Sequence, residues 1–460
     1  MALIKSISGI RGTIGGNPGT NLTPLDIVKF TAAFATVIDQ SSDNKKIVIG
    51  RDGRISGSLV SGLCANTLLA CGFDVIDLGL TTTPTVEIAV TEESAAGGII
   101  LTASHNPQEW NALKLLNSKG EFLDAEAGEK ILSIAESEEF NFVPVNKLGK
   151  YKTDNSYLQK HIDLVLNYEL VDVEAIKKAK FKIVVDPVNS SGAIYIPALL
   201  KALGVKDIVV INEEVNGKFE HNPEPLPKNL VGLSNEVIKQ NASLGIAIDP
   251  DVDRLCFVCE DGSMFGEEYT LVAVADYILG KRKGNTVSNM SSTKSLKEIT
   301  HQHGGEYYPS PVGEVNVVQK MKAVNAVIGG EGNGGIIVPD FHYGRDALIG
   351  IGLFLSHLAH SKKSIKQLRG MYPDYFISKN KITLENNADV QEIFQKIKDK
   401  YKNNPINTED GLKIEFGNDW VHLRTSNTEP ILRIYSESNF QTTAENIARK
   451  IMKDIHEVMS

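Results

Sequence analysis

Short apolar runs that end in polar or glycine-rich loops recur along most of the chain. Each run leads, after its loop, into a segment whose apolar residues have helical spacing, and this alternation is typical of α/β domains. Strands are predicted at Lys46–Gly50, Lys182–Asp186 and Asn285–Asn289, and helices at Leu59–Ala70, Ile194–Leu203 and Thr293–Thr300. The pattern therefore predicts three similar α/β domains with mixed sheets.

The last part of the chain has a different pattern. A helix is predicted over Asp389–Tyr401, strands around Trp420 and Ile434, and a final helix over Thr443–Val458, which together indicate a smaller α+β domain. A chain of 460 residues also exceeds what one hydrophobic core usually holds. The predicted domains cover residues 1–150, 151–255, 256–370 and 371–460.

A hydroxyl, an imidazole and an amide follow the apolar run Gly97–Leu101, in the stretch Thr102-Ala103-Ser104-His105-Asn106-Pro107. Ligands of open α/β sheets usually bind at the carboxyl ends of strands, so Ser104 is a candidate nucleophile or phosphate carrier. The alternative is structural, because serine often caps a helix or turn and Asn-Pro is a common turn dipeptide. The hexapeptide alone leaves both interpretations open.

Three aspartates alternate in Asp249-Pro250-Asp251-Val252-Asp253, directly after the apolar run Leu244–Ile248. Three carboxylates that turn toward one point suit Mg²⁺, whereas a solvated acidic turn explains the crowding of charge poorly. An EF-hand calcium loop requires glycine where Arg254 stands, and the segment that follows is apolar. We therefore predict a magnesium site.

Near the end, Arg424-Thr425-Ser426-Asn427-Thr428-Glu429-Pro430 precedes Ile431-Leu432-Arg433. Two guanidinium groups, three hydroxyls and an amide are suited to grip a phosphate dianion. A helix capping box at Ser426-x-x-Glu429 is the alternative, but Pro430 and the alternating residues after it favour a strand. The segment is interpreted as a phosphate clamp.

Gly330-Glu331-Gly332-Asn333-Gly334-Gly335 has the glycine spacing of a dinucleotide-binding loop. That loop requires a helix directly after it, whereas a β-type run ending in Pro339 follows here, which disfavours nicotinamide or flavin binding. Glu331 and Asn333 suit hydrogen bonding to sugar hydroxyls. A glycine-rich hairpin without a ligand is the structural alternative.

Taken in order, these four loops resemble those of the α-D-phosphohexomutase family, which comprises phosphoglucomutases, phosphomannomutases and phosphoglucosamine mutases. The resemblance begins at Ser8-Gly9-Ile10-Arg11-Gly12, passes through Gly50-Arg51-Asp52-Gly53-Arg54, and reaches Arg433. It implies four domains around a central cleft. It also implies transfer of phosphate between C1 and C6 of a hexose phosphate, through a phosphoserine enzyme and a bisphosphate intermediate.

The resemblance also assigns roles to residues. The implied catalytic group comprises Ser104 as the phosphoserine, Lys114 as general acid or base, and Arg11 and His105 beside them. Mg²⁺ would be bound by Asp249, Asp251, Asp253 and the phosphorylated Ser104. The implied substrate-binding residues are Glu331 and Asn333 for the sugar and Arg424, Ser426, Asn427, Thr428 and Arg433 for the phosphate.

The sugar loop departs from the usual Gly-Glu-x-Ser-Gly-His of the family at Asn333 and Gly335, and it looks like that of the glucosamine branch. We therefore expect phosphoglucosamine mutase activity, with phosphomannomutase or phosphoglucomutase activity as the alternative. A non-catalytic sugar-phosphate sensor is a more distant alternative. A serine hydrolase is disfavoured because Gly-x-Ser-x-Gly is missing and adjacent Ser104 and His105 are poorly placed to pair.

Composition narrows the class of partners. The formal net charge of −9 argues against binding to nucleic acid or acidic membranes. No apolar run approaches the ~18 residues needed to span a bilayer, and the N-terminus lacks the apolar core of a signal peptide. We expect a cytoplasmic enzyme that acts on small hexose phosphates and bisphosphates. Cys256 and Cys259 have redox or zinc spacing, but in a strand they face opposite sides and are predicted to be buried structural thiols.

Overall fold

A computed structural model describes residues 3–6, 9–384, 389–425 and 431–459. Within these residues the strands form four sheets, and each sheet belongs to one part of the chain. The predicted fold class is confirmed: three parts combine a mixed sheet with helices, and the last part is a smaller α+β unit. No helix of the described residues is long and apolar enough to cross a membrane.

The first unit has a seven-stranded mixed sheet in the order β1-β2-β6-β5-β3-β4-β7. Its strands are β1 (Leu3–Ser6), β2 (Gly9–Thr13), β3 (Lys46–Arg51), β4 (Asp74–Leu80), β5 (Gly97–Leu101), β6 (Trp110–Leu116) and β7 (Tyr151–Thr153), and its helices are α1 (Pro24–Ser41), α2 (Gly57–Ala70), α3 (Thr83–Glu92) and α4 (Ala125–Ser137). Helix α1 starts at a capping box, in which Thr23 and Asp26 satisfy each other's backbone N–H groups. Parallel β3 and β5 carry their loops to one edge of the sheet.

The second unit has a four-stranded sheet in the order β11-β10-β8-β9. Its elements are α5 (Tyr157–Asn167), α6 (Val173–Ala179), β8 (Lys182–Asp186), α7 (Gly192–Ala202), β9 (Asp207–Val210), α8 (Val231–Lys239), β10 (Leu244–Ile248) and β11 (Leu255–Cys259). Cys256 and Cys259 are buried, free thiols that pack into two different hydrophobic clusters, as predicted from their spacing. Antiparallel β10 and β11 hold the aspartate loop between them.

The third unit repeats this architecture with the strand order β13-β12-β14-β15. Its elements are α9 (Glu267–Lys281), β12 (Asn285–Asn289), α10 (Ser295–Gln302), β13 (Tyr307–Ser310), α11 (Glu314–Val324), β14 (Ala326–Glu331), β15 (Gly335–Ile337), α12 (Ala347–Ser361) and α13 (Ile365–Arg369). The second and third units share one hydrophobic core. Within it the rings of Phe257 and Phe354 stack with centroids 3.7 Å apart.

The last unit has an antiparallel sheet in the order β16-β20-β19-β18-β17. Its elements are β16 (Phe376–Thr383), α14 (Val390–Lys400), β17 (Ile406–Asn407), β18 (Leu412–Phe416), β19 (Asp419–Thr425), β20 (Ile431–Ser438) and α15 (Gln441–Met459). Apolar residues of the sheet and both helices form a separate core.

Two strands cross the boundaries expected from the sequence. Strand β7 lies after residue 150 but pairs with β4 of the first sheet, and β11 continues in the second sheet to Cys259. The predicted strands at β3, β8 and β12 are all present. The predicted division into domains itself stays a prediction.

Candidate active site

Ser104 lies in the loop after β5, and its hydroxyl points to another unit of the fold. Its Oγ donates a hydrogen bond of 2.8 Å to Oδ2 of Asp249, in the loop between β10 and β11. Ser104 is 3% exposed, and its φ of 49° is uncommon for a residue other than glycine. The backbone forms a turn, as the structural interpretation predicted. The Ser104 hydroxyl nevertheless connects the first unit to the second through Asp249.

Arg54, in the loop between β3 and α2, holds the turn that carries Ser104. Its guanidinium donates to the backbone carbonyls of Ser104 (2.5 Å), Asn106 (2.7 Å), Pro107 (2.6 Å) and Trp110 (2.9 Å). Its Nε also donates to Oδ2 of the buried Asp52 at 3.1 Å. Since the side chain of Arg54 is fully buried, these bonds fix the course of the loop. Arg54 belongs to the motif at residues 50–54 that contributes to the family resemblance, but the sequence assigned no role to it.

The aspartate loop brings three buried carboxylates together. Asp249, Asp251 and Asp253 each offer an oxygen within 4.8 Å of the others, and Oδ1 of Asp249 accepts the backbone N–H groups of Asp253 and Arg254, both at 3.1 Å. Val252 between them has a φ of 63°. This is a strained value for a β-branched residue, and such strain clusters at functional sites. The sequence prediction of a convergent triad agrees with this geometry.

Two oxygens of the triad have no hydrogen-bond partner among the described residues: Oδ1 of Asp251 and Oδ1 of Asp253. A buried carboxylate oxygen without a partner is costly, whereas hard divalent cations bind carboxylate oxygens. The triad could therefore bind a metal ion, and its all-oxygen donor set fits Mg²⁺.

Lys114 on β6 lies between two of these carboxylates. Its Nζ is 2.7 Å from Oδ2 of Asp251 and 3.3 Å from Oδ2 of Asp253. Burial lowers the pKa of Lys114, but the carboxylates of Asp251 and Asp253 outweigh burial and raise it above the usual value. Burial, and then the negative charges of Asp253 and Asp251, raise the pKa of Asp249. The site thus crowds opposite charges into a desolvated space.

Arg11 and His105 flank the serine loop. Nη1 of Arg11, on β2, donates to Oδ1 of Asn106 at 2.9 Å. Nδ1 of His105 is buried and has no hydrogen-bond partner in the described part of the chain. Burial, followed by the charges of Arg254 and Arg11, holds the pKa of His105 well below its usual value. His105 is therefore neutral at pH 7.

The glycine-rich loop is a hairpin that joins β14 and β15, with Glu331 opposite Gly335. No helix follows it directly, which excludes the dinucleotide-binding interpretation. Glu331 is 5% exposed and accepts from Asn289 Nδ2 (2.9 Å), Gly313 N (3.1 Å) and Asn333 Nδ2 (3.3 Å). Its remaining bond, of 2.8 Å, is to Arg345, which the sequence analysis did not identify.

The two arginines of the predicted clamp are neighbours on β19 and β20, where Arg424 pairs with Arg433 in register. Two positive charges placed opposite each other in a sheet suit the binding of an anion such as phosphate. Arg424 Nε also contacts Oδ2 of Asp410 at 3.0 Å, and this carboxylate accepts the backbone N–H of Val312, in the third unit, at 2.8 Å. Ser426, Asn427 and Thr428 lie outside the described residues.

The structure thus brings most of the predicted residues together. Ser104, Lys114 and the three aspartates form one cluster, while Glu331 joins it through Arg345. Arg424 reaches the third unit through Asp410. The contacts of Arg54, Arg345 and Asp410 were not predicted from the sequence, because the identity of a charged residue does not show which distant residues it will contact.

Comparisons with known proteins agree with this architecture. Sequence profiles of phosphoglucomutase/phosphomannomutase match in order: α/β/α domain I at residues 3–142, domain II at 159–262, domain III at 266–375 and the C-terminal domain at 380–454. The chain is 34% identical to a phosphoglucomutase/phosphomannomutase of Thermococcus kodakarensis, over 97% of this chain and 98% of that protein.

Two further similarities concern a second relative and a solved structure. The chain is 31% identical to a phosphoglucosamine/phosphogalactosamine mutase of Sulfurisphaera tokodaii, over 98% of this chain and 99% of that protein. The crystal structure of a phosphoglucomutase/phosphomannomutase family protein from Burkholderia thailandensis has a similar fold, with a TM-score of 0.86 at 23% identity. That similarity covers 99% of this chain and 97% of the other.

Proposed function

The chain belongs to the phosphoglucomutase/phosphomannomutase family, the α-D-phosphohexomutases, and is an isomerase; on this premise we propose that it moves a phosphate between C1 and C6 of a hexose phosphate. Ser104 carries the phosphoryl group between half-reactions, and a hexose bisphosphate is the intermediate. One observation carries the proposal: the 2.8 Å hydrogen bond from Ser104 to Asp249 joins the nucleophile of one unit to the carboxylate triad of another.

Neither half-reaction needs a reactant other than the enzyme and the sugar phosphate. In the first, the bond between phosphorus and Ser104 Oγ breaks and a bond to the free sugar oxygen forms, while the sugar hydroxyl's proton passes by way of Lys114 to Ser104 Oγ. In the second, the bond between the other phosphorus and its sugar oxygen breaks and a bond to Ser104 Oγ forms, while the proton of the Ser104 hydroxyl passes by way of Lys114 to that sugar oxygen. Phosphoryl transfer depends mainly on alignment and charge neutralisation.

The chain's own residues supply this alignment. Arg54 fixes the Ser104 turn through four backbone carbonyls, and Lys114 is held at the reacting position by two carboxylates. Mg²⁺, when bound by Asp249, Asp251 and Asp253, neutralises charge on the phosphoryl group. Arg424 and Arg433 hold the phosphate that is not reacting, together with residues 426–428.

For the substrate we favour glucosamine phosphate, converted between the 6-phosphate and the 1-phosphate. A relative with 31% identity carries the name phosphoglucosamine/phosphogalactosamine mutase, and the sugar loop, with Asn333 and Gly335, resembles that of the glucosamine branch. Burial raises the pKa of Glu331, but Arg345 outweighs burial and lowers the pKa below its usual value, so the group is ionised. The name of another relative supports mannose or glucose phosphate as the alternative.

The test is a rate comparison on glucosamine, mannose and glucose 6-phosphates with Mg²⁺ and a trace of hexose bisphosphate, followed by ³¹P NMR. We expect the signal of the 1-phosphate product to grow faster with glucosamine 6-phosphate than with mannose or glucose 6-phosphate. Ser104→Ala should abolish conversion, whereas Ser118→Ala, at an exposed serine, should leave the rate unchanged. Binding without conversion of any of the three would instead identify a sugar-phosphate sensor.

A further inference from the structure

Arg345 lies between β15 and α12 and contacts three buried carboxylates at once. Its Nη2 is 2.6 Å from Oδ2 of Asp253, its Nη1 is 2.8 Å from Oε2 of Glu331, and its Nε is 3.0 Å from Oε2 of Glu314. These carboxylates come from the aspartate loop, the sugar loop and the first turn of α11. Arg345 is 8% exposed. It is thus a direct link between the proposed cation site and the proposed sugar site.

The local structure holds this guanidinium in one place. The backbone N–H of Arg345 donates to the other oxygen of Glu314 at 3.0 Å, and the next residue, Asp346, caps α12. The side-chain stem lies over Gly335, where a Cβ would come within 2.3 Å of Cδ of Arg345. The planar fork of arginine can bridge several carboxylates in fixed directions, which a lysine ammonium cannot do.

The two carboxylate oxygens of Asp253 have different surroundings. Arg345 and Lys114 occupy Oδ2, while Oδ1 has no partner among the described residues. The guanidinium therefore orients the free oxygen and at the same time places a positive charge beside a ligand of the proposed cation. These two effects have opposite consequences for cation binding.

We propose that Arg345 is a positioning residue that couples the cation site to the sugar loop: it fixes Asp253 and Glu331 relative to each other, and its charge weakens cation binding. The inference rests on the proposed function, because it takes Asp253 as a cation ligand and Glu331 as a sugar ligand. Arg345 itself touches neither the reacting atoms nor the transferred phosphate.

The coupling predicts effects of opposite sign in one variant. Arg345→Met removes a positive charge 2.6 Å from Asp253, so Mg²⁺ should bind more tightly, by about threefold or more. Glu331 loses a charge-assisted bond and its fixed orientation, so hexose phosphate should bind about tenfold or more weakly. Arg345→Lys keeps the charge but cannot bridge three carboxylates, so it should leave Mg²⁺ affinity within about twofold and still weaken sugar binding.

Calorimetric titration of the full chain measures the affinities for Mg²⁺ and for hexose phosphate. Turnover is prevented if every protein also carries Ser104→Ala. Mg²⁺ is titrated first, and then glucosamine 6-phosphate at saturating Mg²⁺. Arg282→Met is the control, since Arg282, directly after α9, forms an arginine–carboxylate pair with Asp340 at 2.7 Å and contacts none of the three carboxylates bound by Arg345; it should change neither affinity.

A merely structural role of Arg345 would weaken both affinities together, and that result overturns the inference. Unchanged sugar binding in both Arg345 variants also overturns it. If Arg345→Met does not fold, Arg345→Lys decides: weakened sugar binding with near-normal Mg²⁺ affinity supports the coupling, and loss of Mg²⁺ affinity contradicts it. A parent protein that binds no hexose phosphate would refute the proposed function itself, a separate result that appears before any Arg345 variant is measured.

Discussion

Replacement of Arg54 by methionine should loosen the loop that carries Ser104 more than any surface substitution. The variant loses the ion pair with Asp52, of 3.1 Å between fully buried side chains, and leaves four backbone carbonyls without their donor. Removal of one partner from a buried pair costs about 3–5 kcal/mol. This is a large share of the ~5–15 kcal/mol that stabilises a typical domain.

Hydrogen–deuterium exchange of the peptides covering residues 97–116 measures this effect locally. Because 1.4 kcal/mol corresponds to about a tenfold change in an equilibrium constant, we expect exchange to accelerate about a hundredfold or more in Arg54→Met. The double variant Asp52→Asn/Arg54→Met should be less destabilised than the sum of its parts, since asparagine leaves no unpaired charge.

The control is Arg449→Met, because the Arg449 side chain is 70% exposed and its bond to Glu445 is 3.2 Å long; we expect a change within about 0.5 kcal/mol. If Arg54→Met exchanges residues 97–116 at the wild-type rate, the loop is held by other contacts and the reasoning fails.

The remaining predictions concern the cation, the clamp and pH. Asp251→Asn should raise the Mg²⁺ concentration for half-maximal activity about tenfold or more, and a chelator should stop wild-type turnover; indifference to the chelator contradicts this. Arg433→Ala deletes a charge-assisted contact of roughly 1.5–3 kcal/mol, so a titration should show at least about tenfold weaker hexose-phosphate binding, and normal binding would place the clamp elsewhere. Burial raises the pKa of Glu268 from 4.5 to about 8, although the charge of Lys379 opposes this shift. Between pH 4.5 and pH 8 the folded protein therefore keeps a proton on Glu268 that the unfolded chain loses. The free energy of unfolding should fall as the pH rises through this range. Glu268→Gln should flatten that dependence in chemical unfolding, and an unchanged slope would show that Glu268 does not cause it.

The fold and the main loops were predictable because their signals are local. An apolar run, a polar loop and a helical pattern stand next to each other in the sequence, and the three aspartates occupy alternate positions of one loop. The β-type run after the glycines around Glu331 disfavoured dinucleotide binding, and the hairpin found there was the structural alternative for this loop.

The supporting residues could not be predicted because their contacts are distant in sequence. Arg54 reaches Ser104 across 50 residues and Arg345 reaches Asp253 across 92 residues. In the sequence each is a charged residue, a type that most often lies on a solvated surface. Burial and convergence of carboxylates, which give these arginines their roles, exist only in the folded chain.

Peptide mass spectrometry shows directly whether Ser104 carries the phosphoryl group. The wild-type protein is incubated with hexose 1,6-bisphosphate and Mg²⁺, digested, and sequenced by fragmentation across residues 97–116. We expect one phosphoryl group on Ser104, which disappears when excess hexose monophosphate is added. A phosphoryl group on another residue, or full mutase activity in Ser104→Ala, would contradict it.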